Sequence, residues 1–313
     1  MKPSEKKGKT GRLSKEGMTM RSLSSSSCPF FVSSYSYAPK LVTHNLCSFP
    51  PRQLSTAKKR LRFSPNATSI QLPLLPFNMN EVLVPSESKV LHLYEARYIA
   101  LLEESLLRKK LFVHFVLDPI SISDSATEAS FAARYGCLVR IENVEQLDVG
   151  ALVSIRGIGR VKIINFLQAD PYLQGEVMPM QDRSPESSSN VSSKVLAVKE
   201  AVYNLNSLEI KLKAPKEAVL QTRILNSLLW ADKEPSLDCD EAFIPSLPER
   251  VSFSAFQPVS GSTQSELLKL QQEKLKAMDF RETEQRLNNS LELVKENISM
   301  LAAKLAIQSI EMQ

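Results

Sequence analysis

Ile70-Gln71-Leu72-Pro73-Leu74-Leu75-Pro76-Phe77, then Val82-Leu83-Val84-Pro85, then Val90-Leu91-His92-Leu93-Tyr94-Glu95-Ala96-Arg97-Tyr98 is the stretch on which the fold turns. The first run alternates and is punctuated by prolines, which suits an edge strand or one that opens a sheet. Residues 82–85 and 90–93 are two more short β candidates. From Tyr94 the period changes. Tyr94, Tyr98, Leu101, Leu102 and Ser105 fall on one helical face, and Arg108-Lys109-Lys110 closes the end where cations suit the helix dipole.

Downstream, residues 111–117 (LFVHFVL) form an apolar strand ended by Asp118-Pro119, and the polar run 121–130 reads as a loop. Residues 136–141, 152–156, 160–166 and 173–178 are further strands with turn signals between them. Residues 69–182 therefore predict an α+β unit, a small β-barrel or curved, mostly antiparallel sheet crossed by one helix.

Leu72-Pro73-Leu74-Leu75-Pro76, Val84-Pro85 and Leu91-His92-Leu93-Tyr94-Glu95-Ala96-Arg97-Tyr98 resemble the opening of the Lon protease N-terminal domain. Tyr135-Gly136-Cys137-Leu138-Val139-Arg140-Ile141, Gly157-Ile158-Gly159-Arg160-Val161-Lys162-Ile163 and Pro171-Tyr172-Leu173-Gln174-Gly175-Glu176-Val177 resemble later strands of that family, in order and correctly spaced. Ser86 stands where the family has Gly, and Val90 where it has Pro, which puts the local turn geometry in question. The resemblance implies a PUA-like β-domain followed by an α-helical bundle. It makes Pro73, Pro76, Pro85, Glu95, Arg97, Tyr98, Gly136, Gly159, Arg160 and Tyr172 residues of the fold motif. Glu95 and Arg97 are expected to anchor the helix start and pair with neighbouring strands. Arg160 is expected to reach toward a Glu or a carbonyl, and His92, His114 and Cys137 to sit inertly in apolar strands.

Residues 183–193 carry a Ser-rich linker (SPESSSNVSS), and 194–313 read as a helical subdomain. Val195, Val198, Val202, Leu205, Leu208 and Leu212 recur at three- and four-residue steps, as on an amphipathic helix. Pro215 suits the first turn of a second helix, whose Val219, Ile224, Leu225, Leu228 and Trp230 can pack. Residues 232–248 form an acidic, Pro-punctuated loop, and 246–258 (SLPERVSFSAFQP) resemble a short helix of the family. Near the end, Leu287, Leu291, Val294, Ile298, Leu301 and Leu305 alternate in steps of four and three. This stripe suits either a packed bundle helix or a coiled coil that self-associates or binds a partner.

Residues 1–68 differ in kind. They hold 13 of the 39 Lys and Arg but only two acids, Glu5 and Glu16, so the net +5 belongs to this leader while the remainder is net −6. From Met18 to Thr68 the chain is acid-free, basic and Ser-rich, as a transit peptide is. The Ser clusters favour the chloroplast stroma, with the mitochondrion as the alternative. Met18 or Met20 is a candidate working start, and Lys58-Lys59-Arg60-Leu61-Arg62 also reads as a nuclear address.

No pattern in the sequence carries catalytic chemistry. The four cysteines form no C-x-x-C pair, and no His belongs to an H-E-x-x-H, so no metal is expected. Gly8-Lys9-Thr10 ends like a phosphate loop, but Pro3 stands where its first Gly belongs and no strand precedes it. Nothing resembles G-x-S-x-G, and nine glycines leave no room for a nucleotide loop. No cofactor is expected, and no membrane contact, since no apolar run approaches the ~20 residues of a span. Nucleic-acid binding is opposed by the acidic balance of the folded part.

The resemblance implies a non-enzymatic protein-binding module for unfolded or misfolded polypeptides. It is expected to serve as adaptor or holdase for a separate ATP-dependent protease, without ATPase or protease parts of its own. Phe253 and Phe256 are the expected apolar contacts, in a groove between the sheet and the helices. The alternative is a structural or regulatory partner, a homo-oligomer or a protein docked on a Lon-type assembly, acting through the stripe of residues 287–305.

Overall fold

β1 (Ile70–Phe77) changes partner half-way along. Ile70–Pro73 pair antiparallel with β6 (Gln174–Pro179), and Leu74–Phe77 pair parallel with β3 (Leu111–Ile120). Each residue of β1 is thus in register with one strand only, so Pro73 and Pro76, which have no N–H to give, fit without breaking a ladder. This strand is interior, not an edge. The structure is a computed structural model describing residues 69–120, 130–183, 188–213, 221–233 and 239–311. The leader, Pro215, Val219 and residues 121–129 of the expected loop lie outside the described residues.

The sheet runs β2-β5-β4-β3-β1-β6, with β2 at Ser88–Leu93, β4 at Ser130–Gln146 and β5 at Ala151–Gln168. The far end of β5 also pairs with β6, so the sheet curls strongly. Every pairing is antiparallel except β1 with β3, whose connection passes through β2 and α1 (Ala96–Leu107). The spacing suggested two strands over 152–166; the structure has one, β5. Gly157 and Gly159 are not turns there but points of close approach. A Cβ would stand 2.3 Å from the Val84 carbonyl oxygen at Gly157 and 2.5 Å from that of Phe243 at Gly159.

Two expected elements are different. Pro85-Ser86 form a turn in which Glu87 N–H donates to Val84 O, and residues 82–84 join no strand. Side chains satisfy their backbone instead: Gln271 Oε1 accepts from Val82 N, Lys274 donates to Val82 O, and Glu87 accepts from Val84 N. Tyr94 lies before α1, whose buried face is Tyr98, Leu101, Leu102 and Ser105.

Leu72, Leu74, Leu111, Val113, Phe115, Leu138, Ile158, Val161 and Val177 fill the curl of the sheet, where Phe243 of the 3-10 turn Glu241–Phe243 joins them. The helices build a second core. α2 (Ser188–Lys213) begins inside the expected linker, because Val191 continues the Val195, Val198, Val202 stripe and is buried with it. Residues 188–193 are therefore helix. α3 (Arg223–Asp232), α4 (Leu247–Ser254) and α6 (Thr283–Glu311) pack on α2 and one another through Ile224, Leu228, Val251, Leu287, Val294 and Leu301. α5 (Gln264–Asp279) starts at a capping box, Thr263 and Glu266 bonding each other's backbone N–H.

Candidate functional site

Sheet and helices meet through buried polar groups. Arg160 of β5 is 1% exposed. Its guanidinium donates to Asp182, to Glu249 Oε1 at 2.9 Å, and to the carbonyls of Met278 and Phe280 at 3.1 and 2.6 Å. Arg286 of α6 donates to Asp182, to Ser252 Oγ at 2.7 Å and to the Phe280 carbonyl at 2.9 Å. The Phe253 ring lies under both cations, 5.6 Å from Arg160 Cζ and 4.1 Å from Arg286 Cζ. Two cations and two carboxylates make a neutral cluster, the condition under which buried charge is tolerated. Burial pushes Glu249 above, and Arg286 below, their usual ranges, although their partners oppose this.

Two smaller joints repeat the pattern. Arg156 of β5 donates to Glu142 at 2.9 Å, to the Ser86 carbonyl at 3.1 Å and to Asn226 of α3 at 2.8 Å. Lys274 of α5, 2% exposed, donates to Glu87 Oε1 at 2.6 Å. Ser86, the departure from the Gly pattern, takes the left-handed φ of 69° that Gly would supply and bonds Ser227 of α3.

The groove reading for Phe253 and Phe256 is overturned. They are 0% and 1% exposed, Phe253 spent on the guanidinium cluster, and neither is open to a polypeptide. The stripe on α6 is also largely consumed. Leu287, Val294 and Leu301 are fully buried, and Leu291 and Ile298 pack against the helical core, because α6 lies along α2. Leu305 is half-buried. Of the fold-motif residues, Pro73, Pro85 and Tyr98 are buried, Pro76 and Tyr172 half-buried, and Gly136 pairs with Phe115 and Val161. Glu95 and Arg97 pair with each other at 2.8 Å, not with neighbouring strands, and Arg97 caps the Tyr98 ring at 4.5 Å.

His114 is buried, stacked on Phe77 with centroids 4.0 Å apart, its Nε2 without a partner and its pKa driven well below the ordinary value by burial. Opposite it, burial raises the Cys137 thiol, which is no nucleophile. Among the described residues no three His, Cys, Asp or Glu gather as metal ligands, and no helix is long and apolar enough to cross a membrane.

What remains open is an edge. His92 is not a core residue but lies on the exposed row of β2, because that strand has one neighbour and one solvent face. Val90 and Tyr94 extend the row, 56% and 40% exposed. The His92 ring donates from Nε2 to the Val149 carbonyl at 3.1 Å and sits 5.4 Å from the Tyr94 ring. Val149, 68% exposed, is held there by the turn at Gly150, whose φ of 83° and approach to Leu93 O leave no space for a Cβ. Val90, His92, Tyr94 and Val149 therefore form one apolar-aromatic strip beside a sheet edge. Sequence reading missed it by placing His92 in the core. The signal was the alternation Lys89-Val90-Leu91-His92-Leu93, which cannot turn both Val90 and Leu91 inward.

The solved structures similar to this chain include two from bacteria. A crystal structure of a Lon N-terminal domain protein from Xanthomonas campestris shares 18% identity at a TM-score of 0.37, covering 71% of this chain and 97% of its own. The N-terminal domain of Mycobacterium avium complex Lon protease shares 12% at 0.43, covering 72% and 98%. No curated protein matches the chain significantly. The family model of the ATP-dependent protease La (LON) substrate-binding domain matches residues 71–308, which takes in every element from β1 to the last turn but one of α6. The chain belongs to the LON substrate-binding domain family.

Proposed function

We propose that this chain grips exposed apolar segments of unfolded or damaged polypeptides. It acts as an adaptor or holdase alongside an ATP-dependent protease in organellar protein quality control. The observation that carries this reading is the match of residues 71–308 to a substrate-binding family. The exposed strip of Val90, His92, Tyr94 and Val149 supports it, since apolar surface left in water favours association with apolar partners. The acid-free, Ser-rich leader supports a chloroplast stromal location, with the mitochondrion as the alternative.

The test is to dilute a chemically denatured client into buffer with and without the full chain and follow its aggregation by light scattering. Slowed aggregation at near-equal molar ratio is expected. Unchanged aggregation, with no binding of a labelled unfolded protein, removes the reading. Import of residues 1–68 fused to a fluorescent protein into isolated chloroplasts tests the location.

A second reading keeps a docking or self-association role for α6, favoured by Ile307 and Ile310, 57% and 72% exposed beyond the packed stripe. Sedimentation of the chain with both changed to Ser decides it. A species that loses mass on substitution supports this role, and an unchanged monomer removes it.

A further inference from the structure

Edge strands expose unpaired N–H and C=O groups, and proteins normally blunt them with bulges, prolines or outward charges. β5 beyond Val161 carries such a defence, two register shifts in its pairing with β6. β2 has none. Its six pairs with β5 run without a shift, and it contains no proline. Its one charge, Lys89, is turned beneath the sheet, 3.9 Å from Glu81 and over the Phe77 ring. Burial holds that ammonium below its usual range. The outward row Ser88, Val90, His92 is therefore uncharged, and among the described residues β2 pairs with β5 alone.

The registers set out the rest of this face. His92 stands opposite Leu152, which stands opposite Glu145; Val90 stands opposite Ser154, which stands opposite Asn143. Side chains directly opposite in a ladder share a face. The strip thus shares its solvent face with Leu152 and Ser154 of β5, and Asp148 is exposed in the turn beside Val149, whose carbonyl holds the His92 ring.

We propose that β2 is a strand-addition site for an extended segment of an unfolded polypeptide. The segment adds a seventh strand by main-chain hydrogen bonds, sets an apolar side chain against Val90 and Tyr94, and brings a basic residue toward Asp148. Main-chain pairing reads no sequence, so a client set of low specificity follows from the geometry, while alternate side chains supply the preference. The proposal rests on the client-binding reading above and gives it a place and a mode.

The test uses the full chain, a labelled, reduced and carbamidomethylated unfolded protein, and an eight-residue peptide alternating Val with Lys or Thr. The peptide is also made with alternate backbone nitrogens methylated, in each of the two phases. Wild type is expected to bind both probes, and Val90→Lys and His92→Lys to weaken both by about ten-fold or more, roughly 1.4 kcal/mol. One methylation phase is expected to abolish peptide binding and the other to spare it. Both substitutions lie on the exposed row, and a thermal melt beside wild type confirms that each variant folds. Binding indifferent to the variants and to methylation overturns the edge assignment while leaving the client reading standing. Failure of wild type to hold either probe brings down both. A wild-type dimer that Val90→Lys converts to monomer, with neither probe bound, assigns the edge to a second copy and overturns the proposal.

Discussion

The hydroxyls of Ser86 and Ser227 lie 2.7 Å apart, both buried, and one of them belongs to a residue held at a φ of 69°. A left-handed backbone costs a non-Gly residue roughly 1–2 kcal/mol, and loss of one hydroxyl strands the other at about 1–3 kcal/mol. Ser86→Ala keeps the first cost and adds the second. Ser86→Gly adds the second but relieves the first. Urea unfolding is expected to place both wild type and Ser86→Gly above Ser86→Ala, the Gly variant by about 1 kcal/mol. Equal losses in the two variants would sink the account of this turn.

Phe253 separates a packing role from a binding one. Phe253→Ala opens a cavity in a fully buried site and removes the ring from beneath two guanidinium groups. A loss of about 3–5 kcal/mol in chemical denaturation is expected. At a temperature where the variant remains folded, its affinity for an unfolded protein should match wild type. A selective loss of affinity would restore Phe253 as a contact.

His114 makes the fold sensitive to acid. Its pKa is depressed in the folded state, chiefly by burial, so the unfolded chain binds the proton more readily as pH falls below the ordinary value of 6.5. The stabilising contribution is present above that value and is lost on acidification toward the folded pKa. His114→Leu should flatten this part of the stability–pH curve, measured by thermal melts between neutral and mildly acidic pH. An unchanged slope would mean that another group is responsible.

Glu249 works in the opposite sense. Burial raises its pKa above the ordinary value of 4.5, so the folded chain holds the proton longer and stability falls as pH rises from 4.5 through the folded pKa. Across that window the stability difference between wild type and Glu249→Gln should shift toward the variant. A shift toward wild type would show that the ion pairs to Arg160 and Arg286 outweigh desolvation.

The strands were legible wherever apolar residues run without interruption, as in β3, and α2 was legible from its valines. β5 was read as two strands because Gly157 and Gly159 look like turn residues, whereas they mark contacts with Val84 and Phe243 that no local pattern announces. α5 shows no clean apolar stripe because its inward face includes Lys274, a residue whose burial depends on Glu87 far back in the chain. Its signal was the spacing of Thr263 and Glu266. The binding strip was obscured for a related reason. Phe253 and Phe256 are the more conspicuous apolar residues, but the cluster around Arg160 draws them inside. Val90 and His92 acquire their meaning from the sheet order, which places β2 last.

The cluster of Arg160, Asp182, Glu249 and Arg286 has a consequence for how the chain assembles. Its members come from β5, the segment after β6, α4 and α6, and each loses its hydration on burial and regains a partner only when the others arrive. A half-docked molecule would leave buried charge with part of its complement, a state several kcal/mol uphill. Sheet and helices should therefore open and close as one cooperative unit. In native-state hydrogen exchange, the amides of β5 and of the middle of α6 should then share a single opening free energy, although more than 120 residues separate Arg160 from Arg286.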